Sequence, residues 1–364
     1  MINIAAPVID SEERRAVNEV IESGMLAQGP KVAELEKNWA EYCGVKHALA
    51  VNSGTAAIHC ALYAAGVKEG DEVITTPYSF IATINPILML GAHPVLVDID
   101  EETFNIDVSK TEAAITEKTK AIVPVDLYGQ PCDWTELQEI AKKHDLKIIE
   151  DACQAIGAEY QGVKTGSLGD FGCFSLYATK NIMCGEGGVV TTNSNEAAAA
   201  IRSFRQHGMV APYEYADLGY NYRMSDLHGT IAVEQLKKVE EFTKKRQENA
   251  CKLNDALAGI VGIKTPTVSD NRSHVYHQYT ILLDKNIQRD QFIASLRDKG
   301  VGAGIYYPKP LHAYPHIAKL GYKIGDFPVA EDLAARVVSL PVHPKVTDED
   351  IEIIVAAVKE SING

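Results

Sequence analysis

Short apolar runs alternate with stretches of helical spacing through the first two thirds of this chain. Val17, Val20 and Ile21 share one side of a predicted helix over 11–22, with Asp10 or Ser11 as cap and Gly24 as stop. A second helix is expected over 31–42 and a strand over 48–51. The segment Ser53-Gly54-Thr55 then opens a helix that ends before Gly66. Strands are predicted over 72–76, 93–98, 121–125 and 146–150, with a helix beginning at Tyr78–Ile81 and another over 134–143. The run FGCFSL (171–176) is a buried strand, Gly185-Glu186-Gly187-Gly188 turns the chain, and 189–192 is a β-branched return strand. Helices over 196–207 and 227–257 follow, the longer one leading out of the first domain. Strands separated by helices imply an α/β fold, a mostly parallel sheet flanked by helices.

The pattern changes over the last hundred residues. Strands over 276–283 and 302–306, a helix over 289–299 and a Thr347-capped helix over 347–360 suggest a smaller C-terminal α+β domain. The expected division is a large domain at 1–240 and a small one at 241–364.

Composition narrows the function. A formal charge of −14 over 364 residues argues against a nucleic-acid surface, which needs clustered Lys and Arg. It leaves room for a locally cationic site that holds a small phosphate-bearing ligand. Seven cysteines without a C-x-x-C pair fit reduced thiols rather than zinc or a disulfide framework, so a cytoplasmic protein is expected. The N-terminus lacks a signal pattern, and no apolar run reaches membrane-spanning length. His312 and His316 are four apart, but Pro315 between them argues against a helix, and no metal site is expected.

Candidate chemistry lies at the strand ends. Lys180 sits in a tight connection between two strands, at a sheet edge rather than on a solvated helix face. Such a lysine is either a surface loop residue or a Schiff-base amine activated by its surroundings. The strand–Gly54-Thr55–helix junction aims free N–H groups at an anion, although ordinary capping by Ser53 or Thr55 explains it equally. Asp151 ends an apolar strand, where parallel sheets bind ligands. Gln154 lies three residues later. Together with Phe80, these residues describe a pyridoxal 5′-phosphate (PLP) site. They supply an amine for the aldehyde, an anion hole for the phosphate, a carboxylate for the ring nitrogen and a flat face for the ring.

The wording of the motifs extends this reading. QGPKVAELE, VNSGTAAIH, GDEVITTPYSFIAT, PVLVDID, LYGQP, IEDACQAIGAEY, SLGDFGCFSLYATKN, GEGGVV, GYNYRMSD and YYPKPLH run over nearly the whole chain. In order and content they resemble the DegT/StrS-type sugar-nucleotide aminotransferases, within the fold-type-I PLP enzymes. The resemblance implies that Lys180 forms the Schiff base and that Asp151 pairs with the pyridinium nitrogen. Gln154 would reach the ring hydroxyl, and Gly54, Thr55 and Ser175 would hold the phosphate. Phe80 would stack on the ring, and Asn221 would reach the phosphate of the other subunit in a homodimer. Tyr307 and His312 fall where the family faces its sugar nucleotide. L-glutamate is the implied amino donor, and the GEGG turn containing Glu186 leans toward amination at C4 of the hexose. A C3-keto sugar, an aminocyclitol and a non-catalytic PLP-binding regulator are the alternatives. A dehydratase relative would carry histidine in place of Lys180. A nicotinamide dehydrogenase would need G-x-G-x-x-G where this chain has NSGTAA.

Overall fold

The structure is a computed structural model, and it describes residues 1–363. A seven-stranded sheet organises the larger part. Its strands lie in the order His47–Val51, Gly188–Thr192, Phe171–Ser175, Lys147–Asp151, Thr119–Ile122, Glu72–Thr75, His93–Leu96. Gly188–Thr192 runs antiparallel to both neighbours, and the other pairs are parallel. The sheet is therefore mostly parallel, as the strand–helix alternation requires.

Both faces are covered. Leu49, Val51, Cys173, Val190 and Ile149 point to the helices Gly54–Ala64 and Asn195–Phe204. Their strand neighbours Ala48, Ala50, Phe174 and Val189 point the other way, to the helices Pro30–Cys43 and Asp226–Leu236. Ile74, Ile122 and Ile148 continue that second face under the helix Trp134–His144. Period-two alternation in strands buried on both sides explains why they read as nearly continuous apolar runs.

A three-stranded sheet of Ile263–Lys264, Tyr279–Leu283 and Val337–Leu340 forms a second core with the helices Arg289–Asp298 and Asp348–Asn363. The helix Val239–Leu257 joins the two cores. Val239 and Phe242 pack in the large one, and Ala250, Leu253 and Leu257 pack in the small one. No helix among the described residues is long and apolar enough to cross a membrane.

The structure differs from the sequence expectations at five places. The helix expected over 227–257 is two, Asp226–Leu236 and Val239–Leu257, with Lys238 at φ −103°, ψ −2° between them. That break lets the Lys238 ammonium meet Asp10 and the buried Glu13, each at 2.7 Å. Tyr78–Ile81 opens no long helix: a 3-10 turn at Ile81–Thr83 precedes the short helix Asn85–Met89. Pro86 has no N–H to continue a ladder from the preceding turn, so a new helix starts at Asn85 with the proline in its first turn.

Residues 302–306 form a single isolated bridge, Gly304 with Ser339, and the strand Val337–Leu340 instead pairs with Tyr279–Leu283. Because the helix Pro328–Arg336 runs directly into that strand, no turn residue marks the change. Pro315 does not exclude a helix; it starts the single turn Pro315–Ala318, where a missing N–H costs nothing. Lastly, the strands flanking Lys180 are interior to the sheet, since His47–Val51 covers Gly188–Thr192. Their connection spans the whole stretch from Ser175 to Gly188, braced by the Tyr177–Gly185 bridge, and is not a tight turn.

Candidate active site

A cavity of about 480 Å³ opens beyond the carboxyl ends of the parallel strands. Each wall follows from local sequence. Ser53 caps the helix Gly54–Ala64 by accepting from Ala56 N at 3.1 Å. The first-turn N–H groups of Gly54 and Thr55 have no partner within the helix and face the cavity with its positive dipole end. Gly54 has to be glycine: a Cβ there would stand 2.8 Å from Ser175 Cβ and 3.1 Å from Cys153 Sγ. The helix start and the end of the central strand thus approach at backbone distance, leaving a cradle of N–H and hydroxyl groups.

Asp151, the last residue of its strand, is buried on the cavity floor. Thr83 Oγ1 donates to its Oδ2 at 2.7 Å and Cys153 N donates to its Oδ1 at 3.3 Å. Since Thr83 spends its proton on Asp151, Ser79 Oγ must be the donor in the 2.8 Å Ser79–Thr83 contact. Two hydroxyls from the segment after Glu72–Thr75 therefore orient the carboxylate.

Lys180 lines the same cavity as the helix start. Burial lowers its pKa, opposed by the charge of Asp151; the neighbouring Cys153 is itself pushed well above the ordinary thiol range by burial and stays protonated. The amine is thus easier to deprotonate than an ordinary lysine, which is what carbonyl capture needs.

Gln154 is held at both ends of its amide: Oε1 accepts from Tyr128 N at 3.0 Å, and Nε2 donates to Tyr307 OH at 3.1 Å. Tyr307 retains its own proton, its pKa raised first by burial and then by Asp151. Tyr78 fixes this segment, accepting from Tyr307 N at 2.8 Å while its hydroxyl meets the carbonyl of Tyr306 at 3.1 Å. Phe80 stands at the mouth, 55% exposed, its ring 6.0 Å from that of Tyr307.

Of the residues expected from the sequence, Gly54, Thr55, Phe80, Asp151, Gln154, Ser175, Lys180, Glu186 and Tyr307 all line this one cavity. His312 does not. It is buried, with Nε2 2.9 Å from Glu331 and its ring edge-on to Phe327, because the turn Leu311–Ala313 packs into the core under Pro328–Arg336. Asn221 is also outside this cavity. Its backbone bridges Gln206 and accepts from Asn52, and its side chain is exposed. Sequence reasoning missed Ser79, Thr83, Tyr78, Cys153 and His277. Ser79 and Thr83 were inside a recognised motif, PYSFIAT, but a hydroxyl carries no chemical signature until its partner is known.

Comparison with known proteins agrees with this geometry. Residues 7–359 match the DegT/DnrJ/EryC1/StrS aminotransferase family. GDP-perosamine synthase of Caulobacter vibrioides is 40% identical over 365 residues, covering 99% of this chain and 98% of its own. A pleiotropic regulatory protein of Geobacillus stearothermophilus is 43% identical over 352 residues, covering 96% and 94%. Among solved structures, Helicobacter pylori PseC, an aminotransferase in pseudoaminic acid biosynthesis, superposes with a TM-score of 0.94. It is 32% identical, and the match covers 100% of this chain and 99% of that one.

The fold and the site define an aminotransferase of the fold-type-I class. The chain belongs to the DegT/DnrJ/EryC1/StrS aminotransferase family. Its cofactor is PLP, and solved relatives include a PLP form. The cradle beside Gly54, the buried carboxylate and the activated amine match the phosphate, ring nitrogen and aldehyde of that cofactor.

Proposed function

We propose that this protein transfers an amino group from L-glutamate to the C4 keto group of a nucleotide-linked hexose, making an amino sugar for surface glycans. The observation that carries it is the meeting of Lys180, Asp151 and the Gly54–Thr55 helix start around one cavity. Relatives named for sugar amination, such as GDP-perosamine synthase and PseC, support the substrate class. The presence of Glu186 in the same cavity as Lys180 supports C4. Its carboxylate, one methylene longer than Asp, sets the approach of the sugar carbon, and a displacement of about 1 Å can cost about 100-fold in rate.

The residues divide the work. When bound, PLP supplies an electron-withdrawing ring that makes the proton on the amine-bearing carbon removable. Gly54, Thr55 and Ser175 hold its phosphate, Phe80 covers a ring face and Gln154 reaches the ring hydroxyl. Asp151 keeps a proton on the ring nitrogen. Lys180 provides the amine for the aldehyde and, once displaced, takes the proton from carbon and returns it. Tyr307 offers a hydroxyl hydrogen to the sugar nucleotide. Residues 1–240 carry the cofactor and 241–364 close over it.

A homodimer completes the site. Val210, Tyr213, Tyr215 and Leu218 expose 63%, 86%, 58% and 70% of their surface on the segment that leads to Asn221. Such apolar exposure marks an interface, and we place Asn221 of that segment at the partner's phosphate. All seven thiols are free, which suits the cytoplasm.

Borohydride reduction of the PLP-loaded protein should trap the cofactor on a peptide containing Lys180; a peptide lacking it would overturn the assignment. UDP-, dTDP- and GDP-linked 4-keto-6-deoxy hexoses should then be aminated in preference to 3-keto sugars. Turnover of only the 3-keto sugars would move the reaction to C3. Likeness to a regulatory protein favours a second reading, a PLP-binding regulator. Absence of amine transfer to any keto sugar or aminocyclitol precursor, with PLP bound, would support it.

A further inference from the structure

His277 lines the cavity with Lys180 and is buried. Asn181, the residue after that lysine, fixes its tautomer. Asn181 Nδ2 donates to the carbonyl of Val275 at 3.0 Å, and a carbonyl can only accept. Asn181 Oδ1 therefore faces His277 Nδ1, 3.2 Å away, and Nδ1 must carry the hydrogen. Nε2 is left with a bare lone pair and no hydrogen bond to protein, opening on the cavity.

The ring stays neutral. Burial holds its pKa well below the ordinary histidine value, reinforced by the cations facing it, Lys180 from the loop after Phe171–Ser175 and Arg246 from Val239–Leu257. Around Lys180 the acidic groups are Asp151 and Cys153. A second carboxylate beside the lysine would raise its pKa and leave less of it as free amine, whereas a neutral acceptor orients the amine with a smaller shift.

We propose that His277 is a positioning residue for Lys180: its bare Nε2 accepts a hydrogen from the lysine's free amine and aims it across the cavity. This rests on the reading of Lys180 as the reactive amine. It adds a residue from the small core that must be in place when the amine is displaced.

The test uses apoprotein, so it does not depend on turnover. Wild type, His277→Leu and His277→Gln are labelled with acetic anhydride across a pH series, and the Lys180 peptide is quantified by mass spectrometry. The acceptor favours the ammonium form, so its removal in His277→Leu should lower the Lys180 midpoint by roughly one pH unit. His277→Gln, which keeps an oxygen acceptor, should restore most of it. A merely structural role would act oppositely, because a loosened pocket hydrates Lys180 and raises its midpoint. A raised or unchanged midpoint in His277→Leu overturns the proposal. Should that variant not fold, His277→Asn, too short to reach, carries the same comparison. Trapping PLP on Lys180 with no shift in the leucine variant would sink this inference alone; failure to trap it would sink the reading of Lys180.

Discussion

Thr83 shows how much of the site rests on side chains with no signature of their own. Its hydroxyl gives Asp151 the shorter of that carboxylate's two hydrogen bonds, at 2.7 Å. Thr83→Val keeps the shape and removes the donor, leaving a buried carboxylate oxygen short of a partner. Hydrogen bonds to charged groups are worth about 1.5–3 kcal/mol, so PLP affinity should fall by about ten-fold or more. Absorbance titration of the apoprotein would measure it, and Thr83→Ser should recover it. Lys180 and Asp151 could be singled out beforehand because few residue types can form a Schiff base or hold a pyridinium proton, and the structure brings both to one cavity. Thr83 could not: one hydroxyl in a threonine-rich segment is chosen only by where the chain brings it. His312 is the converse case: a histidine in a recognised motif was expected at the substrate, and the fold seats it against Glu331, outside the cavity.

Between elements, the clearest device is Asp226, at the start of its own helix yet capping another. Its carboxylate accepts from Gly29 N at 2.8 Å, Lys31 N at 3.1 Å and Val32 N at 3.0 Å. These are first-turn groups of Pro30–Cys43, whose N-cap, Gly29, has no side chain to offer. Asp226→Ala should cost at least about 2 kcal/mol, because three donors lose a buried anion together. Equilibrium urea unfolding would show it as a lower midpoint with an unchanged slope. An unchanged midpoint would mean that water replaces the cap. Helix 11–22 was readable to within a residue because its cap is local: Asp10 and Glu13 form a capping box. The cap of the second helix is nearly two hundred residues away, beyond any local signal.

For the whole molecule, two expectations concern assembly and acidity. Lys180→Ala and Asn221→Ala proteins, each inactive, should regain activity when mixed, because one site in each heterodimer then carries neither defect. With subunit exchange verified, no recovery would remove Asn221 from the partner's site. Acidity concerns Asp126 and Glu150, buried together near the strand end that carries Asp151. Glu150 accepts from Gly166 N at 2.7 Å and Leu168 N at 3.3 Å, while Asp126 Oδ2 finds no donor. A proton held by the pair is what satisfies that oxygen. Burial pushes Asp126 up to about 7 and Glu150 well above its ordinary value. Both folded values exceed the unfolded ones, so the folded state binds more protons. Their stabilisation is full in acid, below the ordinary carboxyl range, and is lost as pH rises through about 7. Asp126→Asn supplies the donor permanently, so its urea midpoint should decline less between about pH 5 and about pH 8. An equal decline in both proteins would refute the shared proton.

The sequence by itself determined the class of sheet, most of its strands and which residues at their ends could carry chemistry. Apolar period and glycine turns are local properties; the lysine, the aspartate and the Gly-Thr helix start each have an ordinary reading alone and point to chemistry only in combination. Tertiary structure decided what local patterns leave degenerate. An apolar run such as VVSL serves equally as helix or strand until Tyr279–Leu283 pairs with it. A long amphipathic pattern continues or breaks at Lys238 according to whether Asp10 and Glu13 lie within reach. Thr83, Tyr78 and His277 became site residues only when separate segments met around one cavity. Hydrogen bonds and burial act at a few ångströms in space, and separation along the chain does not encode that distance.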